Sequence, residues 1–180
     1  AELGDVTLAA NQVLLQFVYL ASYAMDGFVF AAESLVGQAM GARAVAQLRR
    51  GASVTAVWAF GSALVLAAGF WIVGPFVIDV MAKDPTVQEA ARLYLPHMVA
   101  APLLGALAWM LDGVFIGATR TQDMRNMMIL SFLGYCGLVL LLLPSFGNHG
   151  LWMAMNGFFI LRGVILAFRY PALERVAAAP

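Results

Sequence analysis

Charge is scarce in this sequence: only 11% of its 180 residues are Asp, Glu, Lys or Arg, against roughly 25% in a soluble domain. Apolar side chains take their place, at 63% of the chain with a mean hydropathy of +0.86. So little polar surface cannot enclose a soluble core, and the composition reads as an integral membrane protein. Formal net charge is +0, which suggests neither a nucleic-acid partner nor a basic membrane-surface role. The single cysteine, Cys136, excludes an internal disulfide and reads as a small buried hydrophobe. The sequence also lacks a Cys–His or Ser–His pairing, a metal-ligand cluster and a phosphate-cradling Gly loop followed by Lys. Neither enzymatic chemistry nor a resident metal or cofactor is therefore expected.

The long apolar runs are what the chain does have. They predict an all-α integral membrane fold, a single membrane domain over residues 1–180 with about five spans near 6–40, 51–73, 93–118, 127–143 and 151–170. The first run exceeds the roughly 20 residues that cross a bilayer, so tilt or protrusion is expected. Gly74-Pro75 is expected to end or kink the second span, leaving 76–81 as a short apolar piece before a mixed-charge loop. The stretch 144–150 is expected to turn the chain between the last two spans.

Basic residues fix an orientation. Arg43, Arg49, Arg50, Arg120, Arg125, Arg169 and Arg175 fall in loops on one side, and only Lys83 and Arg92 on the other. Basic loops stay in the cytoplasm, which puts the N-terminus outside and the C-terminus inside. The opening Ala-Glu-Leu-Gly-Asp has no initiator Met and no basic n-region, so no secretory signal is expected there. An outside N-terminus without one points to helices upstream.

Polar residues in the first run are ordered. Gln12, Gln16, Tyr19, Tyr23, Asp26, Glu33 and Gly37 follow steps of 4, 3, 4, 3, 7 and 4, which keeps them on one drifting stripe of a helix. In a membrane such a stripe lines a cavity or forms a hydrogen-bonded seam with another helix, and two ionisable groups favour the cavity. Asp112 is a third embedded acid, inside the apolar run 106–118. A charged Asp there costs roughly 2.5–3.5 kcal/mol on insertion scales. Protonation would remove that cost and could couple proton uptake to release of a cationic ligand. The segment 26–32 (DGFVFAA) nearly repeats as 112–118 (DGVFIGA), and a Gly-Ala pair and an arginine follow each aspartate. The repeat implies two helices inserted in the same direction.

Three further residues carry bland expectations. Arg162 reads as snorkelling to the cytoplasmic interface, with pairing to Asp112 or Glu33 as the alternative. His97 reads as a lone interfacial histidine, having no second His, Cys or acid at ligand spacing. Asp123 is expected to help cap the helix after the loop at 119–126.

The runs SYAMDGFVFAAESLVGQAMGAR (22–43) and LDGVFIGATRTQDMRN (111–126), with GNHGLW (147–152) before the last span, resemble the second half of a multidrug and toxin extrusion (MATE) transporter of the DNA-damage-inducible F branch. The resemblance covers about Thr7 to Tyr170. It implies part of a twelve-helix, two-lobe transporter of the cell membrane, in a bacterium the inner membrane. This chain would be the C-terminal part of a cation-coupled antiporter, driven by H+ or Na+, that exports cationic or amphipathic compounds by alternating access. Its partners would be membrane lipid, such small molecules and the missing N-terminal lobe. Asp112 matches the family's acidic position and is the first ion-coupling candidate, with Glu33 and Asp26 beside it. Gln12, Gln16, Tyr19, Tyr23, Trp109 and Asn156 are the candidate lining of the substrate cavity. The first-helix carboxylate used in parts of the family has no counterpart in this chain.

Two other functions compete. A flippase for lipid-linked precursors, from the same superfamily, would need embedded cations for pyrophosphate head groups, and the embedded charges here are mostly acidic. A non-transporting membrane scaffold would instead pair its acids with a second polypeptide.

Overall fold

The computed structural model describes residues 4–178. Its elements are α1 (Asp5–Gly41), α2 (Val45–Met81), α3 (Pro85–Gly117) and α4 (Thr121–Ala177). All four are long and apolar enough to cross a membrane. The fourth is a hairpin in disguise. Gly147 breaks it with φ 54° and ψ −132°, and contacts on either side of the break pair the chain back on itself. Leu138 meets Gly157, Leu161 meets Gly134, and the rings of Tyr135 and Phe158 meet edge to face at 5.9 Å. Residues 121–146 and 148–177 are therefore two antiparallel arms, and the bundle has five helical arms.

Helix boundaries depart from the expected spans in instructive ways. Pro75 does not end α2, which runs on to Met81 with residues 76–81 as its last turns. A proline forfeits one intrahelical bond, and here the packing of Gly74 against the Leu95 side chain holds the helix in place. The expected mixed-charge loop shrinks to residues 82–84. Asp84 caps α3 by accepting from the Thr86 amide at 2.8 Å, and Pro85 occupies the first helical turn, a pairing of cap and proline that favours a helix start. Asp79, within the piece 76–81, and Arg92, expected in a loop, are helical residues paired at 2.5 Å. Pro144 likewise lies inside α4, and helix continues on both sides up to Gly147.

α3 is the central helix, and its close partner is α1. A Cβ at Gly113 would strike the Val29 carbonyl, and one at Gly117 the Glu33 carbonyl. Numbers rise together along both helices, so α1 and α3 run parallel, as the DG repeat implies. Small residues let backbones approach where lipid gives no hydrophobic drive to associate. The repeat extends to the helix ends. Ala44 N–H bonds the Ala39 carbonyl past Arg43 (φ 53°), and Arg120 N–H bonds the Phe115 carbonyl past Thr119 (φ 55°). Both exits are left-handed caps closed by non-glycine residues.

The interior forms two layers. One, centred on Met25, Leu48, Val114, Phe115, Leu166 and Leu173, lies toward the arginine-rich end. The other, with Leu14, Phe17, Ile78, Met98 and Trp152, lies toward the opposite end. Buried hydroxyls are satisfied within their own helices: Thr55 donates to the Gly51 carbonyl at 2.9 Å and Ser131 to the Met127 carbonyl at 2.7 Å. Such back-bonding makes polar residues tolerable inside a span.

Candidate ion and substrate site

Asp112 sits one residue before the Gly113–Gly117 contact, on the side of α3 that meets the second arm of α4. There Arg162 donates to Asp112 Oδ2 at 2.6 Å, with both side chains largely buried (16% and 15% exposed). This overturns the snorkelling reading of Arg162. A buried carboxylate without a counter-charge costs more than the freedom a long side chain gives up to reach it. Asp112 Oδ1 is buried and has no hydrogen-bond partner among the described residues.

The stripe on α1 lies elsewhere. Gln12, Gln16, Tyr19, Tyr23 and Asp26 are exposed, Tyr23 to 71%, while Glu33 and Gly37 are half-buried where α1 closes on α3. Within this chain the upper stripe is therefore not a seam between helices; it is an open polar face. Gln16 also edges an apolar groove of about 320 Å³ between α1 and α2, lined by Phe17, Leu20, Leu66 and Phe70. Asp112 and the open stripe are not brought into one cluster: among the described residues no three His, Cys, Asp or Glu side chains converge.

Trp109 is half-buried one turn before Asp112, its ring edge-on to Phe159 at 5.3 Å. Asn156 is buried; its amide donates to the His97 carbonyl at 2.9 Å and its Oδ1 has no partner among the described residues. His97 does not stand alone. Its Nε2 is 3.0 Å from His149 Nδ1, and Tyr94 packs its ring on His149 at 4.8 Å. Beside them Asn11 and Asn148 exchange two hydrogen bonds, of 2.7 and 2.9 Å, and Trp152 donates to Asn11 at 2.9 Å. Sequence separation hid this polar knot, since 52 residues part the histidines and 137 part the asparagines. Its members on α4 all follow Gly147, so only the hairpin brings them to α1 and α3.

At the opposite end Asp123 does not cap α4, whose N-cap Arg120 makes no side-chain cap bond. It takes Arg120 at 2.7 Å and Arg169 at 3.1 Å instead. Burial disfavours the charged carboxyl, yet the bonds from Arg120 and Arg169 outweigh it and hold Asp123 below its ordinary range. Arg49 and Glu174 form a two-pronged pair at 2.8 and 2.7 Å.

A parallel helix pair joined by glycines, an embedded carboxylate–guanidinium pair and an open polar face define a multi-pass membrane protein. The family model described as MatE matches residues 1–143, and the chain belongs to that family. It is 38% identical over 173 residues to the DNA damage-inducible protein F of Escherichia coli, covering 93% of this chain and 36% of that protein. It is 29% identical over 184 residues to the "Probable multidrug resistance protein NorM" of Pseudomonas aeruginosa, covering 93% and 36%. Among solved structures it is similar to the eukaryotic MATE transporter AtDTX14, with a TM-score of 0.87 at 16% identity, over 96% of this chain and 40% of that one. The chain thus spans about a third of the length of the curated relatives it matches.

Proposed function

We propose that this chain is the C-terminal part of a cation-coupled efflux antiporter of the cell membrane, one that exports cationic or amphipathic compounds by alternating access. The observation that carries the reading is the exposed polar stripe Gln12–Asp26 on a helix otherwise made for lipid. Polar groups at membrane depth face protein or a wet cavity, and this chain offers the stripe no protein. A second lobe facing it would enclose a cleft with Gln12, Gln16, Tyr19 and Tyr23 along one wall and Asp26 deeper in. Aromatic and amide groups suit amphipathic cations, which need apolar contact and a few acceptors. Asp112 is the ion-coupling group, an embedded carboxylate held by Arg162 through Oδ2 and able to take up a proton on Oδ1. Glu33 lies about a turn beyond the level of Asp112, half-buried at the α1–α3 contact.

The flippase alternative fits less well. Its anionic head groups need a free embedded cation, and Arg162 is already held by Asp112.

The test is efflux of ethidium, a lipophilic cation, by the intact transporter that carries this chain. Asp112→Asn should abolish ion-driven efflux, while Tyr23→Ala should weaken it for some compounds more than others. Full efflux and unchanged ion dependence in Asp112→Asn would end the reading.

A further inference from the structure

The embedded charges of this chain are few enough to enumerate. Between residues 51 and 78, α2 has none, and residues 127–146 of α4 have none. On α1 there are Asp26, exposed on the open face, and Glu33, half-buried beside Gly117; on α3 there are His97, in the far layer, and Asp112. The second arm of α4 brings His149, paired with His97, and Arg162. Arg162 is thus the one embedded cation among the described residues apart from the histidines, and its guanidinium is on the one embedded acid that α3 supplies.

We propose that Arg162 is the selectivity-determining residue of the Asp112 site, a resident counter-ion that occupies one oxygen of the carboxylate and so denies it the ligands that Na+ and other metal cations need. This rests on the reading of Asp112 as the coupling group. Two geometric facts support it. Arg162 occupies Oδ2 at 2.6 Å, so a metal ion on the remaining Oδ1 would sit within a few ångströms of a guanidinium in a medium that screens poorly. A hard cation also needs several oxygen ligands, and among the described residues no group of three His, Cys, Asp or Glu side chains converges at Asp112. A proton also leaves the guanidinium uncompensated, but it needs only one oxygen and no further ligands. Arg162 acts through Asp112, as a positioning residue. A neutral side chain in its place would leave a buried carboxylate with both oxygens open to compensation, by a proton or by a sodium ion that no longer meets a guanidinium.

The experiment uses the intact transporter with two readouts, the melting temperature in NaCl against choline chloride and ethidium efflux in proteoliposomes driven by a sodium or a proton gradient. Wild type should melt at the same temperature in both salts and should not be driven by sodium. Arg162→Met should gain a melting temperature that rises with sodium and not with choline, and this gain should vanish in the double variant Asp112→Asn/Arg162→Met. Arg162→Lys, which keeps the charge, should behave as wild type. The double variant also guards against a misfolded single, because it removes both charges of the pair together.

Sodium-driven, Asp112-dependent efflux in wild type would overturn the proposal. So would an Arg162→Met protein that folds and remains indifferent to sodium in both readouts, or an Arg162→Lys protein that gains sodium sensitivity like Met. Efflux that survives Asp112→Asn would instead defeat the transport reading of Asp112. The sodium-dependent melting of Arg162→Met would still decide the role of Arg162.

Discussion

Gly113 of α3 lies so close to Val29 of α1 that a methyl group on its Cα would collide with the Val29 carbonyl oxygen. Gly117 stands in the same relation to Glu33 one turn later. These two contacts set the distance between the parallel helices and, through Asp112 next door, the place of the embedded carboxylate.

Gly113→Ala and Gly117→Ala should each destabilise the protein, by about 1–3 kcal/mol, because the obstacle is backbone that cannot rotate away. Gly27, the counterpart of Gly113 in the DG repeat, meets nothing within 4 Å. Gly27→Ala should therefore be neutral or stabilise by up to about 1 kcal/mol through helix propensity. Melting of the purified protein in detergent distinguishes them. Equal effects at Gly27 and Gly113 would mean the close approach is not what holds α1 to α3.

Thr119 closes the exit of α3 at φ 55°, a conformation in which a β-branched residue is a true outlier. Left-handed backbone costs an L residue roughly 1–2 kcal/mol. Thr119→Gly should recover about 1 kcal/mol of it and raise the melting temperature, losing only the short hydroxyl bond to the Ala118 carbonyl. Thr119→Val should show no such gain.

At Gly147 the penalty has a different origin. A Cβ there would meet open space, whereas one at Gly150 would strike the Leu142 carbonyl. Gly147→Ala should still cost about 1–3 kcal/mol, entirely through its φ 54°, ψ −132° backbone. Gly150→Ala should be at least as damaging, by forcing the arms of the hairpin apart. Both should loosen the polar knot of His97, His149, Asn11 and Asn148, seen as faster amide exchange at the outer ends of α1 and α3.

What the sequence revealed and what it hid divide along one physical line. The apolar runs, the arginine-rich end and the polar stripe are periodic or compositional, and a single helix displays them. The parallel setting of α1 and α3 was legible because a repeat carries its own direction. Pairings across the bundle were not legible. Arg162 lies 50 residues from Asp112, and His149 lies 52 from His97; no spacing rule within one helix connects them. The turn expected over 144–150 falls at Gly147, whereas Pro75, expected to end or kink its span, sits inside a helix that continues to Met81. The Asp84-Pro85 start of α3 was readable by cap rules and was masked by the charge around it.

Asp123 gives the pH dependence a definite sign. It joins the entry of α4, through Arg120, to the end of the second arm, through Arg169. Its carboxyl is held below the ordinary carboxylate range when folded: burial works against the charge, but the two arginines prevail. The unfolded chain therefore takes up a proton first as pH falls. The stabilisation is complete above the unfolded value of about 4 and drains away as pH drops from there through the folded value. Glu174, lowered by Arg49, adds with the same sign from a more exposed site, where screening reduces its weight. The melting temperature should be level from about pH 6 upward and fall on the acid side of about pH 5. Asp123→Asn should lower it at pH 7 and flatten the acid limb, so that mutant and wild type converge once the pH has dropped below the folded value of Asp123. A constant offset between the two curves at every pH would mean that Asp123 acts by shape rather than by charge.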